Sequence, residues 1–91
     1  MPMNLSPTEA RGRTYAAARM MAGLDQAGLA NAAGLSAGTI SNVERGRDAT
    51  DDTLRRIRRA LGREGVLLGF STGKGLASVT INFAEDEAEE D

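Results

Sequence analysis

Helix-capping residues and glycines alternate at short intervals along the first two thirds of this sequence. Side chains that favour the residue just before a helix stand at Ser6, Asp25, Ser36 and Thr50. Glycine, which favours the residue just after a helix, stands at Gly23, Gly34 and Gly46. The spacing predicts four short helices: from Pro7 to about residue 22, from residue 26 to Gly34, over 37–45, and after Thr50.

Apolar residues recur at helical spacing inside these predicted helices. The expected inward faces are Tyr15, Ala18 and Ala22 in the first helix, Leu29, Ala30 and Ala33 in the second, and Leu54, Ile57 and Leu61 in the fourth. We expect them to share one core, because a chain of 91 residues is of the size of a single domain.

The pattern changes after Gly65 from helical to strand-like. "VLLGF" (66–70) is a short β-prone run, and apolar residues alternate with polar ones over 78–83. The intervening "STGKG" has the composition of a turn; its glycines do not have the spacing of a phosphate-binding loop, and no helix is predicted after it. The sequence therefore predicts a β-hairpin over 66–84.

Charge is distributed unevenly along the chain. The net charge is -2, but "EDEAEED" (85–91) contains six of the 13 acidic residues. The first 84 residues carry 11 basic and seven acidic side chains, a net charge of +4 that suits a nucleic-acid partner. We interpret 85–91 as a disordered, solubilising tail. The alternative is a DNA mimic that folds back onto the basic surface and competes for its arginines.

The composition argues against several classes of function. Cysteine and histidine are absent from the sequence, which excludes disulfides, thiolate zinc sites and histidine bases. The sequence shows no nucleophile–base pair, metal-ligand cluster or cofactor loop, so we expect neither an enzyme nor a cofactor. No apolar run approaches the roughly 20 residues of a membrane span, and the first residues lack a signal-peptide core. We expect a soluble, cytoplasmic protein without a membrane partner.

The segment "LSAGTISNVERG" (35–46) is poor in core-forming residues for a helix. Its apolar anchors are Leu35, Ile40 and Val43. The other face of the predicted helix carries small and polar residues, namely Ala37, Gly38, Thr39, Ser41 and Asn42. Two short helices joined by "AGLS" form a helix-turn-helix, whose second helix lies in the DNA major groove in DNA-binding members.

The stretch "GLDQAGLANAAGLSAGTISNVERGR" resembles the Cro/C1-type (XRE-like) helix-turn-helix regulators. The resemblance rests on the Gly-Leu-Asp-Gln start, the Leu-Ala pair, the Ala-Gly-Leu-Ser turn, Thr-Ile-Ser and the Glu-Arg-Gly end, and it covers about residues 12–62. It implies a mainly α, four-helix, lambda-repressor-like domain over 1–65 that binds double-stranded DNA.

The resemblance also implies roles for individual residues. It places Gln26 on a DNA phosphate and the five residues of the small and polar face on the bases. It also places Arg45 and Arg47 on the DNA backbone. Arg19 and Glu44 would form an ion pair between the first and third helices. Ala37 and Gly38 depart from the family, because they cannot form hydrogen bonds to bases. Readout then falls to Asn42, Thr39 and Ser41, or to DNA shape.

Two of these assignments have a simpler alternative, and the role of one further segment is open. Ser41 can bond within its own helix. Arg19 and Glu44 can be two separate surface charges. The arginines of "RRIRR" (55–59) can form a solvated helix face or a second DNA-contacting patch.

We expect a homodimeric transcriptional regulator, a repressor or controller, acting at a pseudo-palindromic site. The expected dimer interface is the hairpin, because it offers more apolar surface than the helices need; its residues are Val66, Leu68, Phe70, Val79, Ile81 and Phe83. The main alternative is an antitoxin that binds a toxin and regulates its own operon. A helix-turn-helix that mediates only protein contacts is a further alternative.

Overall fold

Four helices and a two-stranded antiparallel hairpin follow one another along the chain, as the sequence predicts. The computed structural model describes residues 4–84, so the acidic segment 85–91 lies outside the described residues. The elements are α1 (Pro7–Met21), α2 (Gln26–Ala33), α3 (Ala37–Glu44), α4 (Asp51–Arg63), β1 (Val66–Ser71), a short 3-10 turn (Thr72–Lys74) and β2 (Leu76–Ile81). The predicted fold class of the described residues is confirmed.

Each helix begins at the capping residue that the sequence predicts. Ser6 accepts a hydrogen bond from the Glu9 N–H at 3.2 Å, and the Ser6 N–H donates to the Glu9 carboxylate at 3.0 Å. The bond from the Ser6 N–H holds the pKa of the Glu9 carboxyl below its usual value. Asp25, Ser36 and Thr50 each accept from the N–H three residues ahead, at 2.6, 3.1 and 3.1 Å. These bonds satisfy amide groups that a helix start leaves without partners.

The close crossing of α1 and the end of α3 depends on Gly12. A Cβ atom at this position would lie 2.6 Å from the Glu44 carbonyl oxygen and 2.8 Å from the Val43 carbonyl oxygen. Real side chains do not approach backbone atoms so closely, so the two helices can pack at this distance only because residue 12 has no side chain.

One core joins all four helices and the first strand. Its members are Tyr15, Ala18, Leu29, Ala30, Ala33, Ile40, Val43, Leu54, Ile57, Ala60, Leu61 and Val66. The predicted inward faces lie in or against it, with Ala22 partly buried. The C-terminal strand β2 adds Val79 at the edge of this core.

The hairpin packs one face onto the helices. Val66 pairs with Ile81, Leu68 with Val79 and Phe70 with Ala77. Val66 is buried, Leu68 and Val79 pack against the core, and the Phe70 ring stacks on Tyr15 with 6.1 Å between ring centroids. The alternating apolar face of the hairpin therefore covers the chain's own helices.

This packing corrects the sequence prediction at two places. Val66, expected at a dimer interface, is 1% exposed, because it closes the core between the helices and the sheet. The second strand spans Leu76–Ile81 rather than 78–83, because the connecting turn is only Thr72–Gly75, so Phe83 lies beyond the strand and is 76% exposed.

Candidate nucleic-acid interface

Helices α2 and α3 form a helix-turn-helix around the sharp turn at Gly34. This residue has φ +70°, a conformation that glycine adopts at little cost. The Leu35 N–H donates to the Ala30 carbonyl oxygen at 2.9 Å and so closes the end of α2. Leu35 is half-buried, and Ile40 and Val43 hold α3 to the core. The opposite face of α3 remains on the surface.

The surface face of α3 is the small and polar face that the sequence singles out. Ala37, Gly38 and Asn42 are exposed, and Thr39 and Ser41 are partly exposed. A Cβ atom on Gly38 would meet only the Ser36 hydroxyl oxygen, at 3.9 Å. The fold itself therefore gives no steric reason for glycine at this helical position.

Two side chains of this face form hydrogen bonds close by in the sequence. The Thr39 and Ser36 hydroxyl oxygens lie 2.9 Å apart. The Asn42 side-chain oxygen accepts a bond from an Arg47 Nη at 3.2 Å. The second bond brings together a residue expected at the bases and a residue expected at the DNA backbone.

Arg11 ties the loop after α3 to α1. Its Nη2 donates to the Arg47 carbonyl oxygen at 2.9 Å. Its Nε is buried and has no hydrogen-bond partner among residues 4–84. Arg45 and Arg47 are exposed beside it. Arg11 was not predicted from the sequence, because no local pattern links it to a loop 36 residues away. Three arginines thus stand at the end of α3.

Glu44 at the end of α3 is the centre of a nearly buried polar cluster. Arg19 donates to both of its oxygens, from Nε at 2.7 Å and from Nη2 at 3.1 Å. Arg19 also donates to the Leu24 carbonyl oxygen at 3.0 Å. The side chains of Arg19 and Glu44 are 16% and 9% exposed, and the hydrogen bond with Glu44 raises the pKa of Arg19. The cluster fixes α1, the following turn and α3 relative to one another.

Gln26, the first residue of α2, belongs to the same cluster. Its Nε2 donates to a Glu44 carboxylate oxygen at 3.0 Å. An amide nitrogen carries two hydrogens, so this bond leaves one for a further acceptor. The expected contact of Gln26 with a DNA phosphate thus requires the second hydrogen, since the first is used to position α3.

The arginines of the "RRIRR" segment do not act as one patch. Arg58 donates to the Tyr15 hydroxyl at 3.0 Å and lies against α1. Arg55 and Arg56 pair with Asp52 at 2.6 and 2.9 Å and face α2. The side chains of α3 do not line the groove that these two residues border, so the segment is separate from the surface face of α3.

The helices within residues 4–84 all lack the length and apolar composition of a membrane span. Within residues 4–84, no group of acidic side chains is arranged to hold a metal ion.

A comparison with curated proteins finds no match to this sequence, whereas a comparison with protein families finds one. The helix-turn-helix family matches residues 16–68, which is more than half of the chain and extends from the middle of α1 into β1. The match contains the whole of α2, the turn, α3 and α4. The chain therefore belongs to the Cro/C1-type (XRE) helix-turn-helix family, whose members are DNA-binding regulatory domains.

Proposed function

We propose that this protein is a sequence-specific transcriptional regulator that binds a pseudo-palindromic operator as a homodimer, with α3 in the major groove. The observation that carries the proposal is the exposed face of α3. Glycine is less favourable than alanine in a helix, by up to about 1 kcal/mol in its interior, and no steric contact in the fold requires it at Gly38 in the first turn of α3. Close approach of α3 to DNA would explain the glycine, because small side chains let the helix enter the major groove.

Asn42 is the residue best suited to read a base. An asparagine amide can form two hydrogen bonds with the major-groove edge of adenine. The bond from Arg47 occupies one lone pair of the Asn42 oxygen and leaves the other lone pair and the amide hydrogens for the base. Arg47 thus orients Asn42 in the free protein, which lowers the entropy cost of forming the contact.

The arginines at the end of α3 are suited to the DNA backbone. Arg45 and Arg47 are exposed, and Arg11 holds the loop that carries Arg47. Guanidinium groups bind phosphate oxygens without regard to sequence and set the register of α3 on the duplex. Ala37 and Gly38 contribute shape rather than hydrogen bonds, through contact with thymine methyl groups or through close approach.

The hairpin supports dimerisation through the part of its apolar surface that the helices do not cover. Ile81, Phe83 and Phe70 are 40%, 76% and 42% exposed. Both strands also have an unpaired edge within the described residues, and such edges invite pairing with another chain. To read two half-sites one turn of DNA apart, the two α3 helices of such a dimer would have to lie about 34–36 Å apart.

The same exposed side chains suit the second candidate function, an antitoxin. They would then contact a toxin instead of, or in addition to, a second copy. An antitoxin that regulates its own operon also binds an operator, so DNA binding does not separate the two candidates. A toxin-like neighbouring gene favours the antitoxin, and an integrase or conjugation gene favours the regulator.

Selection of bound sequences from random duplex DNA, with the full chain, tests the proposed function. We expect a two-fold symmetric motif whose half-sites are separated by about 10 base pairs from centre to centre. A parallel selection with Asn42→Ala should lose the preference at one base pair of each half-site. The absence of any enriched motif would contradict the proposal.

A further inference from the structure

A groove lined mainly by arginines lies between the end of α2 and the exposed side of α4. Its volume is about 250 Å³. We call it the arginine groove; the residues that line it include Ala32, Ala33, Arg55, Arg56, Arg59 and Arg63. Neither the surface face of α3 nor the Glu44 cluster contributes to it, so the proposed DNA interface does not account for it.

Positive charge in the arginine groove exceeds the negative charge that lines it. Asp52 is the acidic side chain lining it among the described residues, and it pairs with Arg55 and Arg56. Arg63 reaches across to the Ala32 carbonyl oxygen at 2.8 Å. Arg59 forms no ion pair within residues 4–84. Four guanidinium groups against one carboxylate leave a surface suited to an acidic peptide.

The chain itself leads an acidic segment to this surface. The Asn82 N–H donates to the Gly65 carbonyl oxygen at 2.6 Å, so the chain leaves β2 beside the end of α4, where Arg63 stands. The next residues after Ala84 are 85–91, with six carboxylates in seven positions. Seven extended residues reach about 23 Å. Arg63 and Arg55 are eight positions apart on α4, which corresponds to about 12 Å along the helix. The segment can therefore reach the length of the groove.

We propose that residues 85–91 bind in the arginine groove of their own chain. Because the acidic segment is attached to the domain, its effective concentration at the groove is of the order of millimolar. Each exposed ion pair is weak, but several that form together can hold the segment in the groove. This inference goes beyond the proposed function and does not depend on it. Bound there, the segment lowers the positive field of the domain and leaves the surface face of α3 open, in contrast to a DNA mimic that covers α3.

A spin label on the acidic segment tests the proposal in the full chain. The sequence has no cysteine, so Ala88→Cys provides a single attachment site for a nitroxide. We expect the label to weaken the backbone amide signals of Ala33, Arg59 and Arg63 selectively in NMR spectra. The signals of Ser41 and Asn42 on α3 serve as the internal reference. The effect should disappear near 1 M salt, where charges are screened beyond about 3 Å.

A matched variant distinguishes binding in the groove from chance proximity. Arg59→Gln combined with Arg63→Gln removes two exposed charges of the groove and leaves the core intact. The label should then lose its effect on Ala33. An unchanged effect in this variant, or a stronger effect on Asn42 than on Ala33, would overturn the proposal. So would an effect in a mixed sample of spin-labelled and isotope-labelled chains, since that would place the segment on a second copy.

Discussion

Replacing Glu44 with alanine should destabilise the fold more than the loss of a surface charge would. The substitution removes two hydrogen bonds from Arg19 and one from Gln26. It leaves the Arg19 guanidinium without its counter-charge, on a side chain that is 16% exposed in the unaltered protein. Breaking one side of a buried pair costs about 3–5 kcal/mol, whereas an exposed pair contributes about 0.2–1 kcal/mol.

A loss of this size is readily measured in a small domain. Domains have a free energy of unfolding of about 5–15 kcal/mol, so Glu44→Ala should remove a large share of it. A loss of 1 kcal/mol lowers the Tm of a domain of this size by about 4–8 °C, so Tm should fall by at least about 12 °C. Urea unfolding followed by circular dichroism gives the free energy. If the protein dimerises, the variants are compared at one protein concentration.

Two further variants test the reasoning behind that magnitude. Asp52→Asn removes an exposed carboxylate that pairs with Arg55 and Arg56, and should change stability far less than Glu44→Ala. Arg19→Met combined with Glu44→Leu removes both charges and should be less destabilised than Glu44→Ala alone, because no unpaired charge remains. A loss below about 1 kcal/mol for Glu44→Ala would refute the account of a buried pair.

Substitutions at three other places in the fold have definite expected outcomes. Gly12→Ala should lose about 1–3 kcal/mol in urea unfolding, because the new methyl group meets backbone atoms of α3; unchanged stability would show that the helices can separate at no cost. Gly38→Ala and Gly62→Ala should each gain stability, since neither position is crowded, but by less than the about 1 kcal/mol of a mid-helix site because both lie in a terminal turn; only Gly38→Ala should weaken operator binding. Ile81→Asp should sediment as a folded monomer. Leu67 is 56% exposed on the other face of the hairpin, so Leu67→Asp should remain a dimer. The reverse result would place the interface on the face of Leu67.

The helices were predictable from the sequence because their signals are local. A cap such as Ser36 and the amide that it accepts from are three residues apart, and the stop at Gly34 acts on the same turn of chain. The core positions followed for the same reason, since an apolar spacing of three or four residues identifies one face of a helix. Periodicity cannot show how far that face lies from its neighbours, so the need for glycine at position 12 was not predicted.

The side of the hairpin that the helices cover was not predictable in the same way. Alternation shows that Val66 and Leu68 share a side of the strand, but it does not show whether helices or another chain cover that side. The contact of Arg11 with the loop after α3 joins residues 36 positions apart, and no spacing rule detects such a pair. The family resemblance placed Arg19 and Glu44 together, which residue spacing alone could not have done.

Whether α3 reads bases is tested most directly by titrating a selected operator at several salt concentrations with Asn42→Ala, Arg47→Ala and a control, Asn31→Ala. Asn31 is an exposed asparagine on α2, outside the proposed contacts. We expect Asn42→Ala to lose about 1–3 kcal/mol of binding free energy and the preference at one base pair. Arg47→Ala should weaken binding to all sequences and reduce the salt slope by about 1, and Asn31→Ala should change neither. Binding by Asn42→Ala and Arg47→Ala that equals that of the unaltered chain at every salt concentration would contradict the placement of α3 in the major groove.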